Sequence, residues 1–496
     1  MVDRTPYRKG EPGLSLPSKD MMAAIAATRF GLGARPGEIE AARGDPRGFL
    51  EGQIRREGAD LPKDDGESAP TRYAAFADYR QERRAARRET RTPAADGDMK
   101  PIPVVDAPPN ANILREAQKE AQRYLREKTN ADFLARAQLA ADTEAGFRER
   151  WALFFANHFT VSSTKQATAV VIGPFEREAI RPHVFGRFED LLVASSTHPA
   201  MLTYLDQAQS IGPGSRAAQY AARGGRPRRV GLNENLAREI LELHTVGVDA
   251  GYSQADVTEF ARALTGFSVG RVQDPDIGAF VFRANAHEPG ARAILGKAFA
   301  QGGQDQGLAV LKTLAADPRT ARHVCSKIAR HFVADAPPPA LVARLEKRWI
   351  ETGGRLDAVA GALIAAPEAW DPTPMKVKTP YEFTISAWRA IGGRPAAFER
   401  LNPILTSLGQ KPFSPPSPKG WPDEAGAWAS PDGLVKRMQW TQGFAAAVAD
   451  ARDPDALARS ALGARLGEPT ARAVARAETR REALALLVMS PEFQRR

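Results

Sequence analysis

The stretch GLNENLAREILELHTVGVDAGYSQADVTEFARALT, Gly231 to Thr265, reads as two amphipathic helices joined by a glycine-containing turn, and that helix pair sets the style of the chain. Asn233 is suited to an N-cap and Gly247 to the residue beyond a C-terminus, which predicts a first helix of roughly 13 residues. Leu236, Ile240 and Leu243 make one apolar stripe, and Asn235, Glu239 and Glu242 make a polar stripe beside it. The second helix opens at Ser253, with Asp256 three residues on completing a capping box. Val257, Phe260, Ala261 and Leu264 give its buried face, and Gly266 ends it.

His244 is two residues past Glu242, so a regular helix points the two in nearly opposite directions and they should not ligate one metal. His244 then reads either as a buried imidazole donating to a carbonyl or as a ligand or catalytic group. Glu234, Arg238 and Glu242 follow at four-residue spacings, which ion pairs of about 0.2 to 0.5 kcal/mol each would explain. Glu239 and Glu242 serve chemistry only if burial or charge separates their titrations. VDAGYSQAD lacks the glycine and terminal glutamate of a calcium-binding loop.

Outward from this pair the reading stays helical. Ser18 can cap a helix over 21–27, and Pro36 and Pro46 sit where first turns begin. Long helices are expected near 72–91 and 111–142, separated by a proline-rich segment at 101–109. A glycine- and arginine-rich loop, 210–231, lies beside the opening stretch as a mobile segment. Only GAFVFRANAHEPGARAILG suggests strands, with Phe280 to Phe282 pairing with Ala293 to Leu295. LDAVAGALIAAPEAW and REALALLVMSPEFQR share a form, an apolar helix stopped by Pro-Glu and an aromatic residue that can fold back. The expectation is a mainly α fold, a large multi-helix domain of packed helical hairpins with one small β-ribbon near 279–296. Residues 1–18 form a flexible segment, 19–270 a helical half carrying the candidate site, and 271–496 a second half continuous with it.

The 496 residues carry a net charge of +10, which favours acidic partners, yet the excess is scattered arginine. The one dense basic run, RQERRAARRETRT at 80–92, has interspersed glutamates and no aromatic interleaving, so nucleic-acid binding is disfavoured. A single cysteine, Cys325, excludes an intrachain disulfide and fits a helical face as a buried thiol. The chain shows no transmembrane segment and no evident secretory signal, which points to the cytoplasm.

Two further segments carry chemistry. In FRERWALFFANHFTVSSTK, Phe147, Trp151, Phe154 and His158 share a stripe, so His158 is either a catalytic imidazole in an apolar pocket or a core histidine. Asn157 and Lys165 could complete a polar pocket with it. GQKPFSPPSPKGWPDE, residues 409–424, is an extended proline-rich loop whose Phe413 and Trp421 suit docking, lining a groove, or bracing helices.

FRERWALFFANHF, LNENLAREILELHTVGVDAGYSQADVTEFARALTG, HEPGARAILGKAF, RHVCSKIARHFVAD, VKTPYEF and FSPPSPKGWPD resemble the successive signature segments of the bacterial family named domain of unknown function 1800. The resemblance implies matching positions at His158, Asn235, Glu239, Glu242, His244, His287 and Lys297, with no settled activity. It also implies a sulfatase-like partner family and export, to the periplasm or beyond, for which this chain has no evident signal. HEPG places glutamate where the family pattern has aspartate.

These readings converge on a metal-assisted or acid–base hydrolase acting on a polar polymer or conjugate, with a polyanionic or glycan substrate. His158, Glu239, Glu242 and His287 are the expected catalytic groups, and His158, Glu239, Glu242, His244 and His287 the expected ligands of a divalent metal such as zinc, manganese or iron. Asn157, Lys165, Asn235, Lys297 and Trp421 are the expected substrate contacts. The alternative is a helical binding or assembly protein working with the sulfatase-like partner.

Overall fold

Hairpin after hairpin of helix builds the body of the chain in a computed structural model that describes residues 16–89, 109–223, 231–451 and 453–496. The flexible segment expected at 1–18 lies outside these residues up to position 15. So do the proline-rich segment up to position 108 and part of the 210–231 loop, residues 224–230. The caps expected at Ser18 and Ser253 fall where the sequence puts them, whereas the helix expected to be capped by Asn233 has its cap one residue later, at Glu234, with no side-chain cap bond, and Pro36 precedes the Gly37 cap of its helix instead of opening the first turn. Ser18 accepts from the Met21 amide, and Ser253 and Asp256 close a reciprocal capping box. The long helices run Ala69–Glu89 and Pro109–Asp142. Both Pro-Glu-aromatic endings fold back: Trp370 Nε1 donates to the Ile364 carbonyl at 2.7 Å, and Phe493 is buried. The β structure lies in the expected region but forms two antiparallel ribbons. Phe267–Val269 pairs with Phe280–Phe282, and Arg292–Ile294 pairs with Lys297–Phe299. Phe280 to Phe282 thus pairs backwards along the chain instead of with Ala293 to Leu295 as expected, because the turn at Gly296 (φ +73°) closes the second ribbon on itself.

The larger apolar core surrounds the Gly146–His158 helix, where Trp151 stacks on Phe185 with ring centroids 5.9 Å apart and Phe147 meets Phe30 and Phe332. A second core gathers the helices from Pro431 to Gln494. The Pro380–Ala390 helix joins the two, giving Tyr381 and Ile385 to the first and Phe383 and Ala387 to the second.

Much of the arginine is inside. Arg148, Glu149 and Arg150 are all buried on the central helix, and Arg181 grips both oxygens of Glu149 at 2.8 Å. Arg389 donates to the carbonyls of Gly33 (2.7 Å) and Thr143 (2.8 Å) and pairs with Glu38. Arg29 donates to Ala369 (3.0 Å) and Thr373 (2.6 Å). The scattered positive charge read from sequence therefore does double service, as exterior and as ties between distant segments.

Among the described residues three helices change their winding within the core, with π-helical turns at Ala26–Phe30, Glu176–Ile180 and Ile240–His244. The last alters the opening stretch. Its wider turn rotates Leu243 partly out to solvent, while Leu236, Ala237, Ile240, Leu241 and His244 are buried.

Candidate functional site

The helix Pro318–Phe332 turns Val324, Cys325, Ile328 and Phe332 into the core, and burial pushes the Cys325 thiol up, consistent with an inert group. A second line on the same helix places His323, Lys327 and His331 at successive four-residue steps. His323 and Lys327 come within electrostatic reach of His158, the last residue of the central helix, and of His244 in the π turn.

His158 and His244 have ring centroids 6.0 Å apart and share Phe159 as an aromatic wall, at 4.6 and 5.0 Å. His158 Nε2 meets the His244 carbonyl at 3.1 Å, and because a carbonyl only accepts, the proton sits on Nε2 and Nδ1 keeps its lone pair. That Nδ1 is buried without a partner, as are both ring nitrogens of His244. His323 Nε2 donates to the Leu243 carbonyl at 3.2 Å. Three unpartnered imidazole nitrogens in one place are unusual for a settled core.

Burial, reinforced by the Lys327 ammonium, lowers all three imidazoles: His158 well below its ordinary value, His244 to about 3 and His323 to about 4. Lys327 is lowered to about 8, again chiefly by burial, opposed by Asp423 and aided by Lys419 and Arg330. Its ammonium has no hydrogen-bond or ion-pair partner among the described residues. Asp423, the carboxylate nearest in influence, is engaged elsewhere: it takes His331 Nδ1 at 3.1 Å and lies 3.5 Å from Arg496 and 3.7 Å from Lys376.

Folding stability should therefore fall in acid. Below pH 6.5 the unfolded chain protonates His158 and His244 while the folded chain does not, so the unfolded state binds more protons and stability rises with pH. Between pH 6.5 and about 4, each fully buried ring is expected to remove up to about 1.4 kcal/mol per pH unit, and the profile should flatten above pH 7. Urea midpoints measured from pH 4 to 8 check this, and equal stability at pH 5 and 7 would contradict it.

The proline-rich loop 409–424 reaches this cluster through Lys419 and Asp423. Asn157 clamps it: its side-chain oxygen accepts from the Trp421 amide at 2.8 Å and its NH₂ donates to the Trp421 carbonyl at 3.0 Å. Gly420, at φ +87°, is required there, since a Cβ would lie 2.6 Å from the Asn157 carbonyl oxygen. Asn157 and Trp421 also line a cavity of ≈ 60 Å³ beside Arg136, whose guanidinium rests against Phe133, Tyr381 and Phe413.

The other expected residues lie apart. Glu239 and Glu242 keep to the outward stripe; burial and then Glu242 raise the Glu239 carboxyl, while Glu242 faces Arg238 at 3.5 Å. Asn235 is exposed, and Lys165 pairs with Asp206 at 2.7 Å and donates to the Tyr204 carbonyl. His287 donates from Nδ1 to the Thr265 carbonyl at 2.8 Å, packs on Phe282, and shares no hydrogen bond or ring contact with His158 or His244. Lys297 is exposed on the second ribbon. Of the five expected metal ligands, only His158 and His244 are neighbours within the core. Among the described residues no group of three or more His, Cys, Asp or Glu side chains is placed to hold a metal ion. Among the described residues the buried unpartnered imidazole nitrogens are His158 Nδ1 and the two of His244, one of which carries the ring proton, with His287 Nε2 and His331 Nε2 besides.

His323 and Lys327 were not singled out from sequence, although the spacing H-x3-K-x3-H in RHVCSKIARH displays the stripe. Among the described residues, no helix is long and apolar enough to cross a membrane. No curated protein and no solved structure matches the chain. Residues 25–495 match a family model described as protein of unknown function (DUF1800), and with nearly its whole length covered the chain belongs to that family.

Proposed function

We propose that the protein is an acid–base hydrolase acting on a polar polymer or conjugate, with its centre at His158, His244 and Lys327. The observation that carries this reading is the buried lone pair of His158 Nδ1 within electrostatic reach of the Lys327 ammonium. His158 Nδ1 would take a proton from a water molecule as the water oxygen bonds to the electrophilic centre of an ester or related linkage. Lys327, with the N–H of His244, would stabilise the negative charge that develops on that centre. The bond to the leaving oxygen then breaks, and the proton held by His158 passes to it, so one water is consumed and two hydroxyl-bearing products leave. Glu239 and Glu242 take no part, being on the outward stripe.

A panel of chromogenic carboxylic, phosphoric and sulfuric esters and glycosides tests this. Wild type should turn over at least one class, with loss of 10²-fold or more in His158→Ala and Lys327→Met and little change in Glu239→Gln. Absence of turnover across the panel, or full activity in His158→Ala, would overturn it.

A further inference from the structure

A groove of ≈ 1120 Å³ lies beside the long helix Pro109–Asp142, bordered also by the short helix Gln166–Ala169, the helix Phe398–Ser407 and the proline-rich loop at 411–414. That is above the range of about 300–1,000 Å³ usual for small-molecule sites. Its loop wall is set in advance: the Ser163 amide donates to the Phe413 carbonyl at 2.8 Å, and the Ser163 and Ser414 hydroxyls meet at 3.0 Å. Phe413 itself is held at φ +49°, a region that bulky residues rarely adopt and that recurs at ligand clamps. The lining carries Lys119, Arg123, Arg126 and Lys411 against Glu127 and Glu399. Arg123 pairs with Glu127 at 3.0 Å and Lys119 with Glu116 at 3.0 Å, whereas exposed Arg126 and Lys411 enter no ion pair among the described residues.

The positive excess calls for an anionic occupant, and the rest of the lining says of which kind. Asn130 and Gln166 present amides with no side-chain hydrogen bond among the described residues, and an amide donates and accepts at once, as sugar hydroxyls do. Buried Leu125 and Val170 add an apolar floor for the C–H faces of sugar rings. A nucleic-acid base finds no stacking platform in Phe413, which is buried with Phe133 at 5.1 Å and the Arg136 guanidinium over its ring at 5.6 Å. The bordering elements are helices and a loop, with no strand edge among the described residues to pair with an extended peptide. We infer that the groove binds a short stretch of an acidic polysaccharide, with its carboxylate or sulfate groups on Arg126 and Lys411 and its hydroxyls on Asn130 and Gln166. The loop that walls the groove is the one that Asn157, next to His158, clamps at Trp421. The fate of the bound chain rests on the hydrolase reading; its binding does not.

The test uses the full chain with hexasaccharides of galacturonate and of chondroitin sulfate in separate calorimetric titrations, against neutral cellohexaose, oligothymidylate and hexaglutamate. Saturable one-to-one binding of at least one acidic hexasaccharide is expected, weakened tenfold or more when Arg126→Gln and Lys411→Gln are combined, and severalfold in Gln166→Ala. In the wild-type chain, where folding of a variant is not at issue, the bound sugar should protect Lys411 from acetic anhydride while leaving exposed lysines elsewhere labelled. Binding of galacturonate shows that carboxylates suffice, and binding of the sulfated sugar alone assigns sulfate. The inference is overturned if neither acidic sugar binds saturably, if any of the three comparison ligands binds as tightly, or if binding is indifferent to Arg126 and Lys411, even where chromogenic esters are hydrolysed. Binding of an acidic hexasaccharide without turnover of any ester or glycoside would overturn the hydrolase reading and leave this one standing.

Discussion

Glu382→Ala is expected to destabilise the protein by about 3–5 kcal/mol, a large part of the total stability of an ordinary domain. Glu382 is buried, and its carboxylate lies between Arg150, with which it pairs closely, and Arg496, at 3.1 Å. Burial opposes its charge, but Arg150, Arg496 and His331 outweigh that and hold the carboxyl well below the usual range. It also closes the capping box of its own helix by accepting from the Thr379 amide at 2.9 Å. Removing it leaves the buried Arg150 guanidinium without its carboxylate and Arg496 with Asp423 alone, 3.5 Å away, in addition to losing a cap worth about 1 kcal/mol. Glu382→Gln keeps the shape and part of the cap but not the charge, so it should lie close to the alanine variant. Urea unfolding monitored by circular dichroism measures both, and a loss below about 1 kcal/mol would show that Arg150 and Arg496 find other partners.

Lys327→Met should move stability the other way while removing function. At pH 7 the lysine is charged in both folded and unfolded chains, but burial lowers its folded pKa from 10.5 to about 8. A depressed lysine penalises folding fully below its folded pKa, and the penalty fades as pH rises from about 8 through 10.5, where both states become neutral. Each unit of depression corresponds to about 1.4 kcal/mol, reduced here because the side chain retains partial exposure. A gain of about 1–3 kcal/mol is therefore expected at pH 7, shrinking towards zero near pH 10.5. The groups facing Lys327 are His158 from the central helix, His244 from the π turn, His323 and Arg330 from its own helix, and Lys419 and Asp423 from the loop. Thermal melts of the wild type and the variant at pH 7 and 10.5 give the comparison. A stability loss at pH 7 would mean that Lys327 is a structural group, whereas a gain with lost turnover marks a side chain retained against the interest of the fold.

The helical architecture was legible because caps, prolines and apolar periods are local signals. Ser18, Ser253 with Asp256, and the two Pro-Glu-aromatic endings act as their types predict. The strand pairing was less so, since Phe280 to Phe282 offers the same alternation to either neighbour and only tertiary packing chooses Phe267 to Val269. In the opening stretch the split between Glu242 and His244 survives, but Leu243 leaves the buried face because a π turn cannot be read from residue periodicity. His158 and His244 could be nominated from sequence singly. Their juxtaposition depends on contacts 86 residues apart, and the cluster is completed by a helix a further 80 residues on. The interior role of arginine was hidden for the same reason: nothing in the local sequence separates Arg150, buried against Glu382, from an arginine on the surface.

Those interior arginines bear on how the chain comes to its fold. Arg389 reaches back 356 residues to Gly33, Arg29 forward 344 to Thr373, and Arg150 forward 232 to Glu382. Contacts of such high order form late, after the loops between them have been closed against chain entropy, so early intermediates must carry unpaired guanidinium groups through partly collapsed states. Neither half of the chain holds the partners it needs to finish alone. Cutting the protein near its middle should therefore yield two aggregation-prone fragments instead of two stable domains.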